Sequence, residues 1–312
     1  MALYPLRFEP IFKSMPWGGR RLPAFVRRPA PDDKPVGEAW VLSDVDDSVS
    51  VVADGPLAGT SLRELLAADA ARILGTATAP LGRFPLLLKF IDARRELSVQ
   101  VHPNDEQAAR LRPGCGGKTE AWVVLDANPA TSRIYSGFRP GVTADGFRAA
   151  LAAKTVPETL HTFTPERGDC VFLEAGTVHA IGADILIFEV QQTCDITYRL
   201  YDWDRGRELH IEDGLTCANF AAGPCHPIRR EGALVRCPYF TLDRVTSAVP
   251  FRAGANGQCR AVVCVDGGGE LESGGVRYSI NTGDVYLLPA EVGACDCVPR
   301  SGMTLLECGL PT

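Results

Sequence analysis

The chain has 312 residues, of which 46% are hydrophobic and 22% are charged, so its composition excludes collagen, coiled coils and wholesale disorder. The formal net charge of −6 at pH 7 argues against nucleic acid as the main partner, because phosphate backbones bind basic surfaces. Apolar runs such as residues 84–88 are far shorter than the about 20 residues that cross a bilayer, and we expect no membrane partner.

The first residues and the cysteines indicate a compartment. Residues 1–12 contain no basic region followed by an apolar stretch, so no secretory signal is evident. The 11 cysteines are odd in number, and their spacings match no disulfide framework. We therefore expect reduced cysteines and a cytoplasmic protein.

The predicted elements indicate a mostly β chain. In chain order they are a strand at 38–42, a helix at 61–74, a strand at 97–101, a helix at 104–111, a strand at 121–125, a helix at 143–153, and strands at 170–173, 185–190, 240–245, 260–265 and 285–288. Ser61, Asn104 and Thr143 are candidate N-caps of the helices. Most connections contain no crossover helix, so we expect largely antiparallel sheets, and Gly267-Gly268-Gly269 predicts a hairpin turn.

A weak internal repeat suggests two β units. Residues 168–175 (GDCVFLEA) align with residues 283–290 (GDVYLLPA), although so short a match also arises by chance. The first copy runs on to His179, whereas no histidine follows His226, so beyond its first residue the second unit has no imidazole to offer a metal. We expect a catalytic unit at residues 1–225 and a smaller β unit without metal ligands at residues 226–312.

Potential ligands share faces of two predicted strands. Alternation along residues 97–102 places Ser98, Gln100 and His102 on one face. At the start of a later strand, Lys118 and Glu120 also share a face. Both segments therefore present polar groups on a surface where a metal or a substrate could bind.

A turn between glycines adds a second histidine, His179, just before another strand. Gln100, His102, Glu120 and His179 could then converge inside a barrel, and two imidazoles with one carboxylate are a known catalytic zinc set. The alternative is that each histidine is an ordinary hydrogen-bonded core residue and that Gln100 is a paired polar group.

A third group of polar residues follows His179. Glu189, Asp195 and Arg199 lie within one short stretch and are candidates for work on a substrate. The structural alternative is that Asp195 and Arg199 pair with each other or with neighbours.

Five segments carry a resemblance by their order and spacing: residues 84–93 (FPLLLKFIDA), 97–104 (LSVQVHPN), 117–120 (GKTE), 175–182 (AGTVHAIG) and 198–202 (YRLYD). Together they resemble the type I mannose-6-phosphate isomerases, specifically their short bacterial form. The resemblance extends over about residues 10–204 and is loose beyond them. Glu120 and His179 are too close in sequence to hold the helical domain that longer members insert there, so residues from that domain cannot be transferred.

The resemblance implies a cupin-type antiparallel β barrel, or jelly roll, with a few peripheral helices and a second, smaller C-terminal β unit. It also implies that Gln100, His102, Glu120 and His179 hold one zinc ion per chain. The implied substrate is a sugar phosphate, and the oligomeric state, monomer or dimer, stays open.

The implied reaction interconverts mannose 6-phosphate and fructose 6-phosphate by proton transfer through an enediol. Arg199 and Lys118 match basic residues of the family's pocket, and either can stabilise an enediolate or hold the phosphate. Glu189 and Asp195 match its acidic positions as proton-transfer or orienting groups, with Glu189 preferred, and Ser98 is a candidate substrate contact. The alternatives are a metal-dependent cupin acting on another sugar or as a dioxygenase, and a non-catalytic sugar-phosphate-binding cupin.

Overall fold

The computed structural model describes residues 2–77, 79 and 82–310. Its strands are β1 (Ile11–Gly19), β2 (Val36–Leu42), β3 (Asp44–Val45), β4 (Ser48–Val49), β5 (Leu86–Ala93), β6 (Val99–Val101), β7 (Glu120–Ala127), β8 (Ile134–Phe138), β9 (Leu160–Phe163), β10 (Cys170–Leu173), β11 (His179–Ile181), β12 (Ile185–Gln192), β13 (Tyr198–Tyr201), β14 (Gly232–Arg236), β15 (Thr241–Ser247), β16 (Phe251–Ala253), β17 (Arg260–Ser273), β18 (Val276–Asn281), β19 (Val285–Leu288) and β20 (Cys295–Gly309). Its helices are α1 (Leu22–Phe25), α2 (Leu62–Leu74), α3 (Asp105–Leu111), α4 (Ala144–Ala153) and α5 (Ile211–Cys217), with a 3-10 turn at Val156–Thr159.

The strands pair only in the antiparallel sense within the described part of the chain. All eight predicted strand segments overlap observed strands, so the prediction of a mostly β, largely antiparallel chain is confirmed. No helix in the described ranges combines the length and the apolar character that crossing a bilayer requires.

The three predicted helices begin at the predicted caps. The side chains of Ser61, Asn104 and Thr143 each accept a hydrogen bond from the backbone N–H three residues on, at 3.2, 2.8 and 3.1 Å. Such a bond satisfies one of the N–H groups that the first helical turn leaves without a partner. Local chemistry therefore sets where α2, α3 and α4 start, whereas the short helices α1 and α5 were not predicted.

Three sheets form the body of the protein. Sheet one has six strands in the order β1-β2-β5-β12-β7-β10, and sheet two has five in the order β13-β6-β11-β8-β9. Sheet three runs β14-β15-β20-β17-β18, with β16 attached to β20 and β19 to β17. The functional residues considered below lie on sheets one and two and in the loops beside them.

Sheet one is buried on both faces, and β12 shows why. Ile185 and Ile187 point into an apolar cluster with residues of sheet two, whereas Phe188 and Val190 point the other way into a cluster with residues of sheet three. Because side chains alternate along a strand, Glu189 lies on the same face as Ile187. The sequence of β12 thus directs one carboxylate into the interior between sheets one and two.

The repeated segments fold alike. Asp169 Oδ2 accepts a hydrogen bond from Glu166 N at 2.9 Å, and Asp284 Oδ2 accepts one from Asn281 N at 2.8 Å. Each turn then leads into a four-residue strand, β10 or β19. The division into units at residues 1–225 and 226–312 stays a prediction.

The prediction of a hairpin turn at Gly267-Gly268-Gly269 is wrong, because β17 continues through all three glycines. The register between β17 and β20 shifts twice here, and a Cβ atom on Gly269 would lie 2.2 Å from Val298 O. The glycines therefore let two long strands approach closely across bulges instead of reversing the chain.

Candidate active site and metal centre

Strand pairing in sheet two gathers three of the predicted residues. Gln100 on β6 lies opposite His179 on β11 and, on its other side, opposite Arg199 on β13. Residues directly opposite in a sheet project from the same face. The register therefore places a histidine, an amide and a guanidinium side by side.

Sheet one supplies the facing groups. Glu189 on β12 lies opposite Lys89 on β5 and opposite Trp122 on β7, and Glu120 begins β7 two residues before Trp122. The side chains of Lys89, Trp122 and Glu120 therefore share the inner face of sheet one with Glu189. Acidic and basic groups of sheet one therefore meet the histidines of sheet two in the interior between the sheets.

His102, Glu120 and His179 form a compact cluster. One potential ligand atom from each lies within 4.8 Å of the other two, and the three residues are only 2%, 1% and 1% exposed. Glu120 Oε2 is 3.5 Å from His102 Nε2, and Glu120 Oε1 is 3.3 Å from His179 Nε2. The structure thus brings together three of the four predicted metal ligands.

Hydrogen bonds fix which imidazole nitrogen faces the cluster. Nδ1 of His102 donates to Ile196 O and Nδ1 of His179 donates to Thr177 O, both at 2.8 Å, since a carbonyl only accepts. Burial, reinforced by Lys118, lowers the pKa of His179 to about 3 and the pKa of His102 well below its ordinary value. Both rings are therefore neutral with an Nε2 lone pair toward Glu120, the form in which histidine binds a metal.

The cluster fits a cation on the chemistry of its donors. Both carboxylate oxygens of Glu120 are buried. Oε2 faces the Lys118 ammonium at 2.8 Å, whereas Oε1 has no hydrogen-bond donor among the described residues. Buried polar atoms are normally satisfied, and here two imidazole lone pairs face a carboxylate without a proton between them. The Gln100 amide nitrogen is 3.3 Å from His179 Nε2, and a flip of the amide would turn its oxygen toward the same point.

Lys118 adjoins this cluster. Its Nζ atom is 3.0 Å from His102 Nε2 and 2.8 Å from Glu120 Oε2, and 3.7 Å from Glu189 Oε1. Burial by itself would lower the pKa of Lys118, but Glu120 and then Glu189 outweigh it and raise the pKa. Lys118 is therefore a fixed positive charge beside the candidate metal position.

Lys89 and Glu38 form a further pair of buried charges, which was not predicted from the sequence. Lys89 Nζ lies 3.2 Å from Glu189 Oε1 and 3.6 Å from Glu38 Oε2, and Trp40 and Trp122 donate to Glu38 and Glu189 at 2.6 and 3.1 Å. The signal was present, because Lys89 is the one cation in a strand whose other residues are nearly all apolar. A charged residue in such a strand needs a buried partner.

These groups open onto a cavity of about 460 Å³, a size typical of small-molecule sites. The predicted residues that line it are Ser98, Gln100, Lys118, Glu189, Asp195 and Arg199. Lys89 and Glu38 line it too, as do Arg112, Arg207 and His210, which sequence reasoning also missed. All nine predicted site residues thus lie in the cavity wall or in the cluster next to it.

Asp195 and Arg199 do not pair with each other, but Arg199 does pair with a neighbour, as the structural alternative allowed. Among the described residues, Asp195 has neither a hydrogen bond nor an ion pair, and Arg199 Nη1 donates instead to Glu208 O at 2.7 Å. Asp195 is exposed to solvent in the cavity wall. The carboxylate of Asp195 and the guanidinium nitrogens of Arg199 other than Nη1 are therefore available to a molecule in the cavity.

Comparison with known proteins connects this site to a family. Residues 6–116 match the family model described as phosphomannose isomerase type I, catalytic domain. The chain is 33% identical to mannose-6-phosphate isomerase ManA of Bacillus subtilis over 94% of this chain and 95% of that protein. It is also 33% identical to the mannose-6-phosphate isomerase of Streptococcus mutans, over 88% of each chain.

The fold agrees with these sequence matches. The crystal structure of the mannose 6-phosphate isomerase from Bacillus subtilis superposes with a TM-score of 0.88 at 26% identity, covering 97% of this chain and 99% of that one. This likeness bears out the predicted mostly β, cupin-type fold. The chain belongs to the type I mannose-6-phosphate isomerase family.

Proposed function

We propose that this protein is a metal-dependent aldose–ketose isomerase that interconverts mannose 6-phosphate and fructose 6-phosphate. The observation that carries the proposal is the convergence of two neutral imidazoles and a buried carboxylate, one oxygen of which has no donor, beside a cavity lined by Lys118, Glu189 and Arg199. Family membership supplies the substrate.

The metal of the proposal is zinc, one ion per chain, held by His102, Glu120, His179 and Gln100. Two histidines and one glutamate are a common catalytic zinc set that leaves a position open, and the Oε1 atom of Glu120, which is buried without a donor, supports it. When bound, the ion would polarise substrate oxygens and stabilise negative charge that develops on them.

Lys118 and Arg199 provide the positive charges of the chain itself. Lys118 is buried next to the ligand cluster, so in our proposal it faces the reacting end of the sugar and stabilises the enediolate oxygen. Arg199 lies opposite Gln100 across the sheet and reaches farther toward solvent. Its planar guanidinium suits a contact with more than one oxygen of the substrate.

Glu189 is our choice for the group that moves the proton between C1 and C2. Burial, followed by the charge of Glu120, raises its pKa, which brings a carboxylate closer to the range useful for a base. Trp122 donates to one of its oxygens at 3.1 Å, and the other faces the Lys89 ammonium at 3.2 Å. Asp195, also in the cavity wall, is the second choice, and Ser98 is proposed to contact the substrate.

The residues from 226 onward have a supporting role in this proposal. Leu306 and Val263 of sheet three belong to the same apolar cluster as Phe188 and Val190 on the outer face of sheet one. We propose that this unit supports the wall that carries Glu189 and supplies no metal ligand.

The test combines metal analysis with an isomerisation assay. Purified protein loaded with zinc should convert fructose 6-phosphate to mannose 6-phosphate and exchange the transferred hydrogen with deuterium from D2O, whereas the His102→Ala variant should lose both zinc and turnover. Sugar-phosphate binding without exchange would favour the non-catalytic alternative, and copurifying iron with oxygen uptake would favour a dioxygenase. The proposal fails if the zinc-loaded protein is no faster than His102→Ala.

A further inference from the structure

Sheet two holds the backbone of Arg199 from one side only. β13, which carries Arg199, is the last strand of that sheet and pairs with β6, and no other described strand pairs with it. It is four residues long, and its register against β6 shifts between Arg199 and Tyr201. A short edge strand with an interrupted ladder has few backbone bonds to fix it. The position of the Arg199 guanidinium in the cavity therefore depends on what covers the open edge of β13.

His210 covers this edge. Its Nδ1 atom accepts a hydrogen bond from Arg199 N at 3.2 Å, and its own backbone N–H donates to Arg199 O at 2.7 Å. Two residues earlier, Glu208 O accepts from Arg199 Nη1, also at 2.7 Å. Residues 208–210 thus bind both backbone polar groups and one side-chain nitrogen of Arg199. The arginine is held by β6 on one side and by this segment on the other.

The bond from Arg199 sets the tautomer of His210. A backbone N–H only donates, so Nδ1 carries the lone pair and the proton of the neutral ring lies on Nε2. The side chain is half-buried and lines the cavity, and Nε2 has no hydrogen-bond partner among the described residues. A side chain with an acceptor at the place of Nδ1 can therefore preserve the bond to Arg199, and one without it cannot.

The start of α5 is arranged around this contact. His210 lies just before the helix, where Ser, Thr, Asn or Asp commonly accepts a hydrogen bond from the first helical turn. The His210 side chain makes no such bond and turns to β13 instead. Gly214 lets the helix approach the strand, because a Cβ atom there would lie 2.5 Å from Leu200 Cδ2. The helix thus lacks a side-chain cap and contains a glycine, and both features bring His210 against Arg199.

We propose that His210 is a positioning residue for the reaction: its Nδ1 lone pair holds the backbone of Arg199 and so sets where the guanidinium meets the substrate. This inference rests on the proposed function, in which Arg199 contacts substrate oxygens. Arg199 lies opposite Gln100, whose amide nitrogen is 3.3 Å from His179 Nε2. A shift of β13 would move Arg199 relative to the candidate metal position, and a displacement of about 1 Å can lower a rate about 10²-fold.

Variants at position 210 separate the acceptor from the bulk of the side chain. In His210→Asn the amide oxygen can take the place of Nδ1, whereas His210→Leu has the same branching without an acceptor. His210→Gln carries its oxygen one bond farther out, so the Asn and Gln variants repeat the comparison with two polar side chains if the Leu variant does not fold. The matched control is His226→Leu, which removes an exposed imidazole that does not line the cavity.

Three measurements on the zinc-loaded full chain follow the effect. They are hydrogen exchange at the Arg199 amide by NMR, calorimetry with mannitol 1-phosphate, which has no carbonyl group to react, and isomerisation of mannose 6-phosphate. His210→Leu should speed the exchange about fivefold or more, weaken probe binding about 10-fold and lower kcat/KM about 10- to 100-fold. His210→Asn and the control should stay within about threefold of the unmodified protein in all three.

A double variant tests whether His210 acts through Arg199. Added to Arg199→Met, His210→Leu should lower kcat/KM less than about twofold further, a non-additivity that a merely structural role would not produce. The proposal is overturned if His210→Asn and His210→Leu bind the probe equally weakly. It is also overturned if His210→Leu leaves exchange at Arg199 unchanged, since any loss of binding would then come from a direct contact with the ligand. If no protein isomerises any sugar, the proposed function fails, while the exchange and the calorimetry still decide the role of His210.

Discussion

Replacing Lys89 with methionine removes a cation that sequence reasoning overlooked while keeping most of the side-chain volume. Lys89 is 4% exposed and lies 3.2 Å from Glu189 and 3.6 Å from Glu38. At an effective dielectric constant of about 20, each pair attracts by about 5 kcal/mol. Several kcal/mol of that gain is offset by the cost of burying the ammonium. The variant leaves two buried carboxylates short of a partner. It should therefore lose about 3–5 kcal/mol of unfolding free energy.

Urea denaturation of metal-free protein measures this loss without a contribution from bound zinc. Lys154→Met is the matched control, since it breaks an exposed ion pair with Asp204 that should contribute at most about 1 kcal/mol. Adding Glu189→Gln to Lys89→Met should restore part of the stability. The reasoning is refuted if Lys89→Met unfolds within about 1 kcal/mol of the unmodified protein with an unchanged m value.

The stability lost in Lys89→Met should also depend on pH. Burial and Glu120 already raise the pKa of Glu189 in the folded protein, and loss of Lys89 should raise it further. A carboxyl whose folded pKa exceeds its unfolded pKa destabilises the protein at high pH, and the penalty disappears as the folded form takes up a proton. The stability difference between Lys89→Met and the unmodified protein should therefore shrink as the pH falls from about 8 to about 5, and a constant difference would contradict this account.

Three further predictions test the candidate site and the packing of sheet one against sheet three behind it. Glu189→Gln should lower kcat by about 10²- to 10⁴-fold at unchanged zinc content, and a comparable rate would move the proton transfer to another group. Glu120→Gln should reduce bound zinc to less than one ion per chain in elemental analysis, because it removes the one carboxylate of the cluster; full occupancy would exclude Glu120 as a ligand. Phe188→Ala, at a fully buried position in contact with Phe90, should cost about 3–5 kcal/mol in urea denaturation, and a cost below about 1 kcal/mol would show that sheets one and three are not tightly packed there.

Local sequence signals located the predicted helices and much of the strand core. Ser61 and Asn104 carry their cap within the first helical turn, so the information needed is confined to four residues. The strand at 185–190 shows by composition that it is buried. β20 was not predicted, because Pro299 and Gly302 interrupt its pattern; its strand state depends on pairing with β17 and β15, which no local window contains.

The residues of the candidate site likewise divide into those that local sequence signals located and those that only the tertiary structure shows. Gln100 and His102 could be placed on one face by strand alternation. Their convergence with Glu120 and His179 was one possible interpretation of the residues, and the resemblance then implied it. Lys89 required knowing that β5 lies beside β12, since its partner Glu189 is 100 residues away in sequence. Arg112 and Arg207 lie in irregular segments without periodicity, so only the tertiary structure shows that they open onto one cavity.

The register of β6 has a consequence for how this protein tolerates change. Gln100 lies between His179 and Arg199 on one ladder, so the candidate metal position and the proposed substrate contact depend on the same hydrogen-bonded row. A substitution in this row removes one group and leaves the others in place. Insertion or deletion of a single residue in β6 would instead reverse the direction of every following side chain, and the protein would lose metal and substrate recognition in one step.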